Sequence, residues 1–434
     1  MDIDGVDKST ARRIVRALRN GATPVQYAQD IFTGQVPWYT KALGMMSDTA
    51  EDKDFEVRFV RAMYGGGKTL FLRCLEATAK VDHWCTAFVI FKHDEVELDR
   101  FHTLVTEIAR KLVQPTGEIG LTGLLRSAFR TLSKRAGYSS EGGANSLATI
   151  ERYRQTIVRF CEENAIDYEF GLAIRAAAGA LIDHDQAYFD QIANWLGSGS
   201  SAIVIDPQRL GSSPSATRAA PTRLKPMGQG QAEQFLRLIA LLARECGSKG
   251  LFLAFDELEL VSKLAARRRD NAFQTLRALV EHHDPILQPP STCLFFAATP
   301  IMFEDPQMFP AYKALQDRIE SMSIVGSGEV NYMAPVIDLD RTELGKEDLL
   351  QLAKRILALY RKGIGDPPSS AALKIMKLVD AILAKRYVIA RPRLLCRCLV
   401  DLLDGKLGDD ISKDVSMVAR ELELQHEREL QGAE

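Results

Sequence analysis

The sequence predicts an α/β protein in which a parallel-sheet P-loop core carries a helical insertion and is followed by a C-terminal helical domain. Three observations predict it. A glycine-rich segment, Tyr64-Gly65-Gly66-Gly67-Lys68-Thr69, follows the alternating apolar run Phe55–Val60 and opens a helical pattern at Leu70. Two further runs, Leu251–Phe255 and Cys293–Ala298, are apolar throughout, as strands covered on both faces of a parallel sheet are. From Glu343 onward the periodicity is helical, interrupted at Gly363–Pro368.

The elements follow in order. Thr10–Asn20 reads as a helix capped by Ser9 or Thr10, with Ala11, Ile14, Val15 and Leu18 as its apolar stripe and Gly21 as its stop. Arg12, Arg16 and Arg19 share another face, which is either solvated or meets phosphate or a partner. Cys85–Phe91 has a buried-strand pattern and Val105–Val113 a helical one. Residues 121–195 are mostly helical, with turn signals over Gly137–Asn145. Residues 197–230 are rich in Gly, Ser, Pro and Thr and read as a long loop with one short strand, Ala202–Ile205. Arg209, Arg218, Arg223 and Lys225 make this loop basic, so two readings stand: it orders on nucleic acid or protein, or it is a flexible connection. A helix over Gln231–Cys246 precedes the Leu251 strand, and a last strand, Met333–Leu339, follows a short helix bearing Arg318. The expected organisation is an N-terminal helical segment (1–50) contributing to the nucleotide site and a core (51–340) with the insertion at about 115–196 and the loop at about 197–230. A helical lid (341–434) follows.

With 434 residues the chain has room for about two or three domains. Its net charge of −2 predicts no overall attraction to nucleic acid, which leaves local patches as the only electrostatic route to it. The seven cysteines are scattered, and Cys396-x-Cys398 reads as core helix, so neither a disulfide framework nor a zinc site is expected. The polar N-terminus and the lack of a long apolar span predict a cytoplasmic protein.

The strand–loop–helix order around residue 65 is what phosphate binding requires. Gly65, Gly66 and Gly67 let successive N–H groups converge on an anion, and the new helix adds unpaired N–H groups and a positive dipole end. Lys68 is expected to neutralise the β- and γ-phosphates of ATP, and the Thr69 hydroxyl to hold Mg²⁺. Ala62 stands where the G-x-x-x-x-G-K-[ST] template has glycine. Ligands of open parallel sheets sit at the carboxyl ends of the strands, and two more strands end in polar groups there. Asp256 is expected in the Mg²⁺ shell, Glu257 as the base polarising water, and Thr299 as the group orienting that water or touching the γ-phosphate. Strand-end capping before Pro300 is the plainer reading of Thr299. Arg318 and Arg393 are candidates for a guanidinium reaching the γ-phosphate; Arg391 rivals Arg393, and pairing with Asp317 or Glu320 rivals the catalytic reading of Arg318.

This order of motifs resembles the AAA+ ATPase plan, nearest its origin-recognition-like and STAND-like branches. Arg16-Ala-Leu-Arg-Asn-Gly21, Val60–Thr69, Trp195-Leu-Gly197, Gly250–Glu257 and Thr299-Pro300 further resemble the BREX-system ATP-binding family of BrxC/BrxD-type P-loop proteins. The resemblance is densest over residues 12–110 and 247–330. It implies a role in bacteriophage defence, an ATP-driven homo-oligomer, and work with double-stranded DNA, a helicase or another defence protein. It also implies Lys68 and Thr69 in the phosphate loop, Asp256 and Glu257 at metal and water, Thr299 as a sensor, and Arg318 and Arg393 as trans-acting finger and second sensor. A nucleotide-gated scaffold with little turnover is the alternative. A STAND-type sensor fits less well, because no ligand-binding repeat region is visible.

Overall fold

The computed structural model describes residues 5–22, 24, 28–31, 36–92, 98–139, 145–198, 201–210, 221–281, 288–320, 334–341, 344–387 and 389–431. Its strands are β1 (Phe55–Arg61), β2 (Cys85–Ile90), β3 (Ile203–Ile205), β4 (Thr222–Leu224), β5 (Leu251–Asp256), β6 (Thr292–Ala298) and β7 (Val336–Asp338). Five of them form one parallel sheet in the order β2-β5-β6-β1-β7. The chain leaves β1 for the far edge at β2, works back through β5 and β6, then crosses to β7 on the other side. That reversal puts a topological switch at the carboxyl end of β1, where the phosphate loop begins.

The two-residue period of each strand divides the sheet cleanly. Phe55, Val57 and Phe59 of β1, Leu253 and Phe255 of β5, and Leu294 and Phe296 of β6 enter one core with the helix Phe101–Lys111 and the insertion. Phe255 and Phe296 stack there with ring centroids 4.6 Å apart. Val60, Phe252, Ala254, Phe295 and Ala297 face the other side, beneath the helices Val36–Asp52 and Lys68–Val81. Both faces are therefore covered, which is why the strands read as apolar runs.

The insertion comprises the helices Gly120–Ala136, Leu147–Glu163, Tyr168–Ile182 and Gln186–Ser198. The helix expected over Val105–Val113 spans Phe101–Lys111 instead. Val113 exchanges backbone hydrogen bonds with Thr86 and so belongs to the edge of β2. The segment read as a long loop with one short strand, Ala202–Ile205, holds that strand as β3, paired antiparallel with a second, β4; Arg218 lies outside the described residues. Arg209 is fixed rather than loose: it pairs with Asp185 at 2.8 Å and lies over the Tyr188 ring.

C-terminal helices Lys346–Gly363, Ser369–Leu383, Arg391–Leu403 and Ile411–Gln431 build a third core, and the first helix of the chain belongs to it. That helix runs Lys8–Arg19 and is capped by Asp7, whose carboxylate accepts the Ser9 and Thr10 N–H groups, rather than by Ser9 or Thr10. It approaches Gly363 so closely that a Cβ there would lie 2.6 Å from the Arg12 backbone nitrogen. Two of the three arginines on that face have partners within the fold, although Arg12 remains exposed. Arg12 donates to the Gly363 carbonyl, and Arg19 makes two hydrogen bonds to Asp404 at 2.9 and 2.8 Å. Arg16 is exposed. Among the described residues, no helix is long and apolar enough to cross a membrane.

Candidate functional site

At the end of β1 the chain turns through Met63 and Tyr64 into the three glycines. Gly66 N–H closes the turn on the Met63 carbonyl at 2.9 Å. Gly65 and Gly67 take φ of 78° and 94°, backbone that an L side chain rarely adopts. Gly67 is the N-cap of the helix Lys68–Val81, and no side chain caps that helix. Its first-turn N–H groups are thus left to an external acceptor. The departure at Ala62 has a local compensation. A Cβ on Gly66 would lie 2.8 Å from the Ala62 Cβ, so the methyl group at the template's first glycine occupies space that the second glycine of the run leaves open.

Lys68 is buried, and its Nζ donates to the Ala62 carbonyl at 3.1 Å. Thr69 Oγ1 donates to Asp256 Oδ2 at 2.6 Å, joining the start of this helix to the end of β5 across the intervening β6. Asp256 is 2% exposed, and its other oxygen accepts the Glu257 N–H at 3.1 Å. Glu257 is a non-glycine residue at φ 64° and lines the same cavity as Lys68 and Thr69. Thr299, immediately past β6, is half-buried, and its carbonyl accepts the Met302 N–H.

The two arginines part ways. Arg393 lies across the loop with its guanidinium 4.3 Å from the centre of the Tyr64 ring. A Cβ on Gly65 would fall 2.7 Å from the Arg393 Cδ, so the glycine is what admits this arginine. The Arg393 Nε is buried without a hydrogen-bond partner. Arg391 faces an adjoining cavity instead. Arg318, on the helix Lys313–Glu320, is 60% exposed, lies 3.7 Å from Glu281 and lines neither of the cavities at the loop.

Two cavities meet at the loop. One, of about 320 Å³, is bounded by Lys68, Thr69, Glu257, Arg393 and the turn Asn20–Ala22. The other, of about 450 Å³, lies between Gly66-Gly67 and the C-terminal helices and has Met63, Leu339 and Leu344 as apolar walls. The donor set fits a phosphate chain with a divalent cation: glycine backbone, an uncapped helix start, one buried ammonium, and a hydroxyl paired with a carboxylate.

Two groups here escaped the sequence reading. Asp340, just past β7, accepts the Met63 N–H at 2.8 Å. Burial raises its carboxyl, although that N–H and Lys68 oppose the shift. The signal was its position at the carboxyl end of a strand. Glu259, two residues past Glu257, approaches Lys68 at 4.0 Å; the run Asp256-Glu257-Leu258-Glu259 held that cue. Burial pushes the thiols of Cys396 and Cys398 up to about 12, leaving both protonated and unreactive at neutral pH.

The sheet order and this loop define a P-loop nucleotide-binding α/β protein with a C-terminal helical domain. The model of the family described as BREX system ATP-binding protein BrxC/D matches residues 6–409, nearly the whole chain, and the chain belongs to that family. It is thus an ATP-binding protein of a BREX anti-phage system. Comparison with curated proteins and with solved structures gave no match.

Proposed function

We propose that this protein binds MgATP at the β1 loop and hydrolyses it as an AAA+-like, homo-oligomeric component of anti-phage defence in the cytoplasm. The observation that carries the reading is the 2.6 Å contact between Thr69 and Asp256 beside buried Lys68. In this reading the backbone of Gly65–Gly67 and the Lys68 ammonium bind the phosphates, and Thr69 and Asp256 hold Mg²⁺. The bound metal neutralises charge on the β- and γ-phosphate oxygens. Glu257, at the cavity wall, takes the proton of the attacking water; Thr299 orients that water. Arg393 contributes its guanidinium from the helical domain of the same chain, and the nucleoside fills the larger cavity. Arg318 is exposed and lines neither cavity at its own loop, as expected of a finger offered to a neighbouring subunit's site. Double-stranded DNA, a helicase or another defence protein is the partner on which the ATP cycle acts.

Steady-state hydrolysis by the purified protein, with and without double-stranded DNA, tests the reading. Turnover should be lost in Lys68→Ala and Glu257→Gln, with ATP still bound by the second variant. Retained ATP binding with turnover insensitive to Glu257→Gln would favour the nucleotide-gated scaffold. No ATP binding at millimolar concentration would refute both.

A further inference from the structure

Glu259 is a carboxylate beside Lys68 to which the nucleotide reading gives no role. It follows β5 on a short 3-10 turn, Leu258–Lys263, and reaches back into the sheet end. Its Oε1 lies 4.0 Å from Lys68 Nζ, making Glu259 the only carboxylate within that distance of Lys68 among the described residues. The backbone N–H of Thr299 also faces this carboxylate and opposes the rise that burial gives its pKa. Oε2 is buried and has no hydrogen-bond partner. A single side chain, rooted after β5, thus faces the lysine that follows β1 and the backbone that follows β6.

We propose that Glu259 is a positioning residue of the phosphate site, which holds the Lys68 ammonium when phosphate is absent and must yield it when phosphate binds. The proposal rests on the P-loop reading of Lys68. Its physical basis is competition for one buried cation. Lys68 has two partners, the Ala62 carbonyl and Glu259, and a polyphosphate would take the ammonium from both. Glu259 is suited to give way. The 4.0 Å separation is long for an ion pair, and burial raises the carboxyl's affinity for protons more than Lys68 lowers it.

Isothermal titration of ATP, ADP and adenosine into the full-length protein tests this. In Glu259→Gln the side chain keeps its size but the competing charge is gone. The ATP and ADP dissociation constants should fall about three- to fivefold, the scale of one modest ion pair. Adenosine, which brings no phosphate to Lys68, should bind as it does to the wild type. Glu259→Asp, whose carboxylate is withdrawn by one methylene, should also tighten ATP binding and serves if the Gln variant misfolds. Unchanged or weakened ATP binding in a folded variant overturns the proposal, as does an equal gain for adenosine, which marks a general loosening of the pocket. If wild-type ATP binding is abolished by Lys68→Ala but Glu259→Gln fails to tighten it, only the role of Glu259 falls. If Lys68→Ala leaves ATP binding intact, the P-loop reading falls with it.

Discussion

Gly66→Ala is a small change with a large expected effect. The added Cβ would lie 2.8 Å from the Ala62 Cβ, 2.9 Å from the Met63 carbonyl oxygen and 3.4 Å from Asp340 Oδ1. Carbon atoms in contact normally stay about 3.5–4.0 Å apart, so the first overlap is about 0.7 Å or more. None of these neighbours retreats easily. Ala62 is fully buried and donates its N–H to the Ala298 carbonyl, and the Met63 carbonyl closes the loop turn on Gly66 itself. The strain must therefore appear as displacement of the loop. Overpacking of this kind costs about 1–3 kcal/mol, which corresponds to roughly 5–150-fold in the ATP dissociation constant if the phosphate-binding geometry bears it. Calorimetric titration of MgATP reads this directly, and urea unfolding of the apo protein separates loop displacement from global destabilisation. Adding Ala62→Gly removes the 2.8 Å contact but leaves the one to Met63, so the double variant should recover part of the affinity. Ala62→Gly alone should bind ATP normally and lose about 0.5–1 kcal/mol of stability. Binding within about twofold of wild type in Gly66→Ala would refute the packing argument.

Three further outcomes are expected. Arg393→Ala, which takes a guanidinium from the Tyr64 ring and the loop, should weaken ATP binding by an order of magnitude or so, against little change for Arg391→Ala, as measured by the same titration. Burial raises the Asp404 carboxyl, but hydrogen bonds from Arg19, Tyr360 and Lys406 outweigh it and hold the group below its ordinary value of 3.8. A depressed carboxyl stabilises the fold above its unfolded pKa and loses that contribution as pH falls through the folded value. The urea midpoints of wild type and Asp404→Asn should therefore differ by a constant amount from pH 7 to about pH 4 and converge below it. Arg318→Ala should leave the urea midpoint within about 0.5 kcal/mol of wild type, because its guanidinium is largely exposed, 3.7 Å from a Glu281 that keeps Arg277 as partner, while lowering ATP turnover in the assembled protein.

The sheet was legible because burial on both faces forces apolar runs, where β2, β5 and β6 fall, while β1 follows an alternating one. The phosphate loop was legible because glycine at Gly65 and Gly67 answers to backbone geometry that sequence records directly. Contacts between distant segments left no such trace. Nothing in the periodicity of the first helix says that Arg19 will meet Asp404, 385 residues away, or that Arg209 will settle against Asp185 and Tyr188. The strand β4 was missed because three residues in a polar, proline-containing stretch carry no usable period. Glu259 and Asp340 were missed for another reason. Acidic residues just past a strand are common, and only the fold brings these two to Lys68 and Met63.

The central claim is that ATP is held at the ends of these strands by the loop that begins at Gly65. Equilibrium binding of MgATP to the wild type and to Lys68→Ala tests it most directly. Saturable binding by the wild type, weakened tenfold or more in a Lys68→Ala variant that unfolds like the wild type in urea, is the predicted result. Binding that is the same in both proteins would contradict the account.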